Sequence, residues 1–269
     1  MEFLYAEPFS SRQAVDLDNK FGHGTCVADL AVGLSNGVAK RADISAVQRF
    51  PDPSTPDLEA RRWVDLRLLA GLDFLIFDIF QKGVNGKAVV VMAFGHFHSA
   101  FLTSDRWEFY KEQMYRRLDV LDKLGVAVVA TVPNEGKCTD RIPCSFGNPS
   151  YDRYLPNLIV VEGSDIQTGQ YAGPEEQRND WVTIHAPSTD SKTDIDGNRL
   201  GIECVPGQGN SGRSSMTAGS SAGAGIVGGL MAYFMGLGMT HTAARQAMLD
   251  YAYARSDVGP KMPYNNVPF

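Results

Sequence analysis

The stretch T-A-G-S-S-A-G-A-G-I-V-G-G-L-M-A-Y, residues 217 to 233, puts Ser221 where a serine can act as a nucleophile. Ile226, Val227, Leu230, Met231 and Phe234 recur at the spacing of the buried side of a helix, which predicts that Ser221 lies in its first turn. There, unpaired N–H groups and the positive end of the helix dipole favour developing negative charge. The small residues leave room for backbone to approach a ligand. A second reading is purely structural: Ser220 caps the helix and the glycines let it pack closely. The stretch alone does not choose between the two.

If Ser221 is a nucleophile, the order of its partners along the chain decides which hydrolase logic applies. G-S-S-A-G, residues 219 to 223, fits the G-x-S-x-G elbow of esterases, in which the acid and the histidine follow the serine. His241, Asp250 and Asp257 do follow. His241, however, opens a predicted helix directly after the serine helix and is poorly placed to come back over Ser221. The opposite order, with the histidine early, has more support.

The elements that would position such a serine alternate along the chain. Residues 1 to 22 are polar and turn-rich, a loop or partial strand. Val27, Leu30, Ala31 and Leu34 predict a helix from Cys26, stopped at Gly37, with His23 just before it or in its first turn. Residues 42 to 47 predict a buried strand, 58 to 81 a long helix and 87 to 92 a fully buried strand. A charged amphipathic helix is expected over 104 to 124, ending at Gly125, and a third buried strand over 126 to 131. Further strands are predicted at 158 to 162 and 181 to 185, and closing helices at about 220 to 236 and 240 to 253. Between 187 and 213 the Gly, Ser, Asp and Asn content predicts a loop region with little regular structure. This alternation implies right-handed βαβ units, and so a three-layer α/β fold with a mainly parallel sheet and helices on both faces.

With 269 residues, 43% hydrophobic and 10% aromatic, the chain can bury one large core, and a single domain over 1–269 is expected. A net charge of −6 argues against nucleic acid as a partner, and no basic run suggests an anionic membrane. No apolar run reaches the ~18 residues of a membrane helix, and the opening M-E-F-L-Y-A-E-P-F lacks the blocks of a signal peptide. The compartment is therefore not readable. Cys26, Cys138, Cys144 and Cys204 lack zinc spacing and are too scattered for a disulfide scaffold. Cys138 and Cys144 could close a small loop in an oxidising compartment. Cys26 is expected to be a small buried hydrophobe rather than a thiol nucleophile.

Six segments, taken in order, carry a resemblance. They are G-H-G-T-C-V-A-D-L-A-V-G at 22 to 33 with G-V-A-K-R-A-D-I-S-A-V at 37 to 47, V-V-V-M-A-F-G at 89 to 95, and V-A-V-V-A-T-V-P-N-E-G at 126 to 136. Then come Y-L-P-N-L-I-V-V-E-G-S-D at 154 to 165, V-T-I-H-A-P at 182 to 187, and G-S-S-A-G-A-G-I-V-G-G at 219 to 229. Together they resemble the histidine, substrate-strand, oxyanion-asparagine and serine segments of the subtilisin-like serine proteases, including the proteinase K branch.

The resemblance implies an endopeptidase acting on a protein or peptide substrate. Ser221 would attack the scissile carbonyl, and His23 would act as general base and then acid. Asn134 would donate to the oxyanion beside the Ser221 N–H. Ala93, Phe94 and Gly95 on one side, with Thr131, Val132 and Pro133 on the other, would line a groove in which a peptide lies as an added strand. No cofactor is required; the family admits calcium sites, but none is readable. A monomer is expected, and the family is mostly secreted. His96, His98, His185 and His241 receive no role beyond solvated or structural histidines.

The chain departs from the family pattern at the acid. The family's aspartate ends a strand, usually as D-[ST]-G, a few dozen residues before the histidine. Only 22 residues precede His23, and their aspartates, Asp16 and Asp18, fall in the loop leading to G-H-G-T. An N-terminally incomplete chain is the favoured explanation. A pseudo-enzyme, or an unusual path for Asp16, stays open. Ala222, Gly225 and Ile226 replace the family's Met, Pro and His and are expected to loosen the first helical turns. Pro133 replaces a Gly and removes a backbone donor.

Overall fold

Strands and helices alternate as the periodicity predicts, and two apolar clusters bury the two faces of one sheet. The computed structural model describes residues 2–4, 22–47, 58–97, 103–134, 137–139, 141–172, 178–193, 199–205 and 215–263. In chain order, β1 (Glu2–Leu4), α1 (His23–Val32), β2 (Ser45–Val47), α2 (Leu58–Gln81), β3 (Val89–Met92) and β4 (His96–Phe97) come first. They are followed by α3 (Ser104–Lys123), β5 (Ala127–Thr131), β6 (Arg141–Ile142), β7 (Ile159–Asp165) and β8 (Ile184–Thr193). The last elements are β9 (Arg199–Leu200), β10 (Ile202–Cys204), β11 (Ser215–Thr217), α4 (Ser220–Gly236), α5 (His241–Tyr251), β12 (Tyr253–Ala254) and β13 (Lys261–Met262).

The central sheet has the order β3-β5-β7-β8-β9, the first four strands parallel and β9 antiparallel at the edge. α2 and α3 cover one face, where Leu68, Leu72, Met114 and Leu118 pack with Val90, Val128, Ala130 and Val160. α4 and α5 cover the other, where Val227, Met231 and Met248 pack with Val129, Val161 and Ile184. Both faces of β5 are therefore dry. This is why A-V-V-A-T is an unbroken run of small and β-branched residues, every one of them buried.

α4 is apolar nearly all round because it has the sheet on one side and α1 on the other. Its glycines make that possible. A Cβ on Gly228 would lie 2.4 Å from Val91 Cγ2, and one on Gly225 would lie 2.7 Å from the Val27 carbonyl oxygen. On Gly229 it would meet the Ala31 carbonyl oxygen at 2.4 Å and Val38 Cβ at 3.0 Å. These glycines serve helix packing rather than ligand approach, as the structural reading of the stretch had it. Gly225 does not loosen the helix but lets α1 come closer. Gly229→Val is expected to overpack this contact by about 1–3 kcal/mol and lower Tm by several degrees in a thermal melt. Gly236→Ala, with nothing within 4 Å of the added Cβ, is the control and should not lower it.

Three expectations need correction. The strand expected buried at 42 to 47 is only β2, an exposed Ser45 followed by two half-buried residues, and it lies outside the central sheet, pairing in parallel with β1. The strand expected fully buried at 87 to 92 alternates between half-buried and buried along β3, because β3 is a terminal strand of its sheet. The region expected as a loop between 187 and 213 holds most of β8, then β9 and β10, with β11 just beyond it pairing antiparallel to β10. There, small polar residues form ribbon edges, which composition does not distinguish from loops.

Candidate active site

His23 and Ser221 stand at the amino ends of two packed helices. His23 is the first residue of α1, behind Gly22 at φ 69°, and Ser221 is the second of α4, behind Gly219 at φ 86°. Both turns use backbone that favours glycine. Val27 abuts Gly225, and Ala31 abuts Gly229. The helices thus run side by side in the same direction, so their amino ends, which carry His23 and Ser221, lie at the same end of the pair.

Ser221 is buried, and its Oγ donates to the Ala93 carbonyl at 3.2 Å, just past the end of β3. Ser220 is not a side-chain cap. Its Oγ donates to the Val132 carbonyl at 2.6 Å, with Asn134 Oδ1 3.2 Å away, and its N–H donates to Asn134 Oδ1 at 3.0 Å. An amide oxygen is the only side-chain atom of Asn134 that can accept from a backbone N–H, so this contact fixes which way the amide faces. Asn134 Nδ2 is left as a donor that makes no hydrogen bond among the described residues. A Cβ on Gly219 would fall 2.3 Å from Asn134 Oδ1, so glycine is required there on both counts.

Ala93, Phe94 and Gly95 follow β3, and Thr131 to Asn134 end and follow β5, its parallel neighbour. Both segments leave the sheet at its carboxyl edge, where open α/β sheets form their binding crevices. Thr131 and Val132 are buried and offer the crevice only backbone, whereas Asn134 and Gly95 are exposed. Past the crevice the two segments are tied together by the antiparallel pairing of β4 with β6. The Cys138–Cys144 disulfide closes the loop that carries β6.

Sequence reasoning missed a second disulfide. Cys26 is bonded to Cys204 across a sequence separation of 178, so it is not simply a small buried hydrophobe. The adjacent Asp29 adds a second tie: its Oδ2 accepts from the Val205 N–H at 2.9 Å and from Asn36 Nδ2 at 2.8 Å. Together these fasten α1, and with it His23, to β10. Spacing along the chain could not have disclosed a pairing this distant.

The other histidines lie elsewhere. His241 Nε2 is 2.9 Å from Asp122 Oδ1, near the amino end of β5, whereas Ser221 lies at the carboxyl end of β3. The length of the sheet separates them, which removes the esterase arrangement. His96 lies in β4, and His98, Asp16 and Asp18 lie outside the described residues. Among the described residues no three His, Cys, Asp or Glu side chains converge, and no step is assigned to calcium.

His185 is largely buried on β8, 12% exposed at its side chain, with the Tyr171 ring edge-on and Glu162 Oε2 3.9 Å away on β7. Burial pushes its pKa down to about 4 and pushes that of Glu162 up. A histidine harder to protonate when folded stabilises the fold above pH 6.5, and that stabilisation is lost as pH falls towards 4. Glu162 acts in the opposite sense. Between pH 7 and pH 5 the protein is expected to lose about 2 kcal/mol more stability than a His185→Gln variant, measured by denaturant unfolding at each pH.

The comparisons with known proteins agree with this fold. "Subtilisin-like protease 2" of Trichophyton rubrum is 24% identical over 220 residues, 81% of this chain and 42% of that protein. "Subtilisin-like serine protease Pen ch 13" of Penicillium rubens is 24% identical over 252 residues, 91% of this chain and 52% of that one. The chain thus spans about half the length, or less, of these relatives. A cold-adapted subtilisin-like serine proteinase of known structure superposes with TM-score 0.64 at 16% identity, covering 99% of this chain and 82% of its own, which shows the shared fold. The family model described as "Subtilase family" matches residues 8–266, nearly the whole of the alternating α/β frame that carries His23, Asn134 and Ser221, and the chain belongs to that family.

Proposed function

We propose that the chain is the peptidase domain of a serine endopeptidase that cleaves peptide bonds through Ser221. The observation that carries this reading is the tie from Ser220 to Asn134, which holds the asparagine amide against the start of α4 with Nδ2 unspent. Ser221 Oγ forms a bond to the scissile carbonyl carbon while its proton passes to His23. Charge building on the carbonyl oxygen is met by Asn134 Nδ2 and the Ser221 N–H, which lacks an intrahelical partner at the helix start. Collapse breaks the C–N bond, and the amine leaves with the proton from His23. Water then hydrolyses the acyl-enzyme, with His23 again as the base.

The substrate would be a protein or peptide lying along 93 to 95 and 131 to 133. In this reading a carboxylate orients His23 and steadies the charge it takes up. A fluorophosphonate probe should label the wild type and not Ser221→Ala, and failure to label even an upstream-extended chain would sink the proposal. Asn134→Ala should lower kcat about 10²–10³-fold with little change in KM, read from initial rates on a chromogenic peptide. A second reading, an inactive domain that only binds peptides, draws on the Ser221 hydroxyl donating to Ala93 rather than to a base. It predicts peptide binding without labelling.

A further inference from the structure

Glu162 puts a carboxylate where the central sheet otherwise carries apolar side chains. It follows Ile159, Val160 and Val161 along β7. Side chains alternate between the faces of a strand, and Val160 packs on the α2 and α3 side while Val161 packs on the α4 and α5 side, so Glu162 returns to the side of α2 and α3. Thr131 pairs with Val161, and the Val132 N–H donates to the Val161 carbonyl at 3.1 Å, which makes Glu162 the lateral neighbour of Val132. Carrying the β3–β5 register two residues past Met92 and Ala130 sets Phe94 opposite Val132, and His185 is the register partner of Glu162. Phe94, Val132, Glu162 and His185 thus form one row across the carboxyl edge of the sheet, and the first two belong to the walls of the crevice.

The carboxylate has no cation to answer it. Its Oε2 is shut off from water and makes no hydrogen bond among the described residues. Asn179 donates to the carboxylate from backbone and side chain but brings no charge. His185, 3.9 Å away, stays neutral near pH 7, because burial pushes its pKa down to about 4. Arg178 acts on Glu162 only through its field: its guanidinium rests on the Tyr171 ring, 3.8 Å from the centroid, and makes no ion pair among the described residues. Withdrawing a carboxylate from water without a paired cation is costly, and a valine here, as at 160 and 161, would carry no such cost. A cation that comes and goes with the substrate gives the carboxylate its use.

For a peptide lying along 93 to 95 and 131 to 133, the carbonyl under attack faces Asn134 and the Ser221 N–H. Ser220 and Ser221 occupy the α4 side of the crevice, so the side chain of the same substrate residue turns to the opposite side, that of Phe94, Val132 and Glu162. A strand laid beside Val132 is two strand spacings, about 10 Å, from β7. An extended lysine spans about 6 Å and a glutamate about 4 Å, so their ends come within the ~3 Å of a hydrogen bond. A leucine spans about 3 Å and leaves the carboxylate unanswered. We propose that Glu162 is a specificity-determining residue, which makes the site prefer peptides with lysine or arginine at the residue whose carbonyl is attacked. The cation completes the carboxylate through a charge-assisted hydrogen bond. This preference rests on the peptidase reading for the path of the peptide.

The test uses chromogenic peptides alike except for Lys, Arg, Leu or Glu at that residue. kcat/KM for Lys and Arg should exceed that for Leu by about tenfold or more, with Glu lowest. Glu162→Gln keeps the shape of the side chain but not its charge; it should remove the advantage of Lys and Arg and leave Leu within about twofold. Fluorophosphonate labelling at the wild-type rate shows that the variant keeps its site. Leu cleaved by the wild type as well as Lys, or an advantage of Lys that survives Glu162→Gln, overturns the proposal. Binding of the same peptides to Ser221→Ala, followed by fluorescence anisotropy, separates this inference from the peptidase reading. About tenfold tighter binding of the Lys peptide, in a protein whose wild type the probe never labels, upholds the role of Glu162 and overturns the peptidase. Labelling of the wild type with no preference among the peptides does the reverse.

Discussion

Alanine at Ser221, at His23 or at both is expected to leave one and the same residual rate of peptide hydrolysis. The two side chains work as a unit: the serine is a poor nucleophile without a base, and the base has nothing to deprotonate without the serine. The size of the fall is the informative quantity. In a full triad, loss of serine or histidine costs about 10⁶ in kcat, and loss of the acid alone about 10⁴. The difference, roughly 10², is what serine and histidine still achieve together without an acid. A fall of about 10² is the result expected where no carboxylate orients His23. A fall near 10⁶ would mean that a carboxylate already orients His23, with Asp16 and Asp18 the first to replace. Initial rates on a chromogenic peptide, corrected by fluorophosphonate titration, give the comparison.

Replacing Cys26 and Cys204 together by alanine is expected to be the most destabilising change away from the catalytic residues. The bond closes a loop across a separation of 178, and in the chain-entropy account a closure of that length stabilises by about 5 kcal/mol. With an unfolding entropy of about 2.1 cal/mol/K per residue, that corresponds to a fall of about 9 °C in Tm. The Cys138–Cys144 bond has a separation of 6, so its loss should cost about 2 kcal/mol and about 4 °C. Calorimetry of the oxidised proteins ranks the two, and a larger effect from the shorter loop would contradict the entropic account. The longer bond should also affect catalysis. Cys26 is three residues from His23, so releasing α1 from β10 should lower kcat more than removing Cys138–Cys144, with Asp29 and Val205 left as the remaining tie.

Local pattern determined a good deal of this protein without any structure. The helix over 58 to 81 matches α2 end to end, and β5 and α4 fall within a residue of their predicted bounds, because periodicity and glycine punctuation act within a few turns of chain. The order His23, Asn134, Ser221 and the alternation around it were enough to point to the family. Tertiary structure decided what depends on distant partners. It turned the Ser220 side chain from a cap into a link between α4 and Asn134, and it assigned the glycines of α4 to contact with α1 and the sheet. It also sent His241 to Asp122 at the far end of the sheet and joined Cys26 to Cys204. Valines in a strand read the same whether their neighbour is present or absent. Only the assembled sheet, where burial depends on what lies alongside, showed that Val89 and Val91 are half-buried and that β2 and β3 line one cavity.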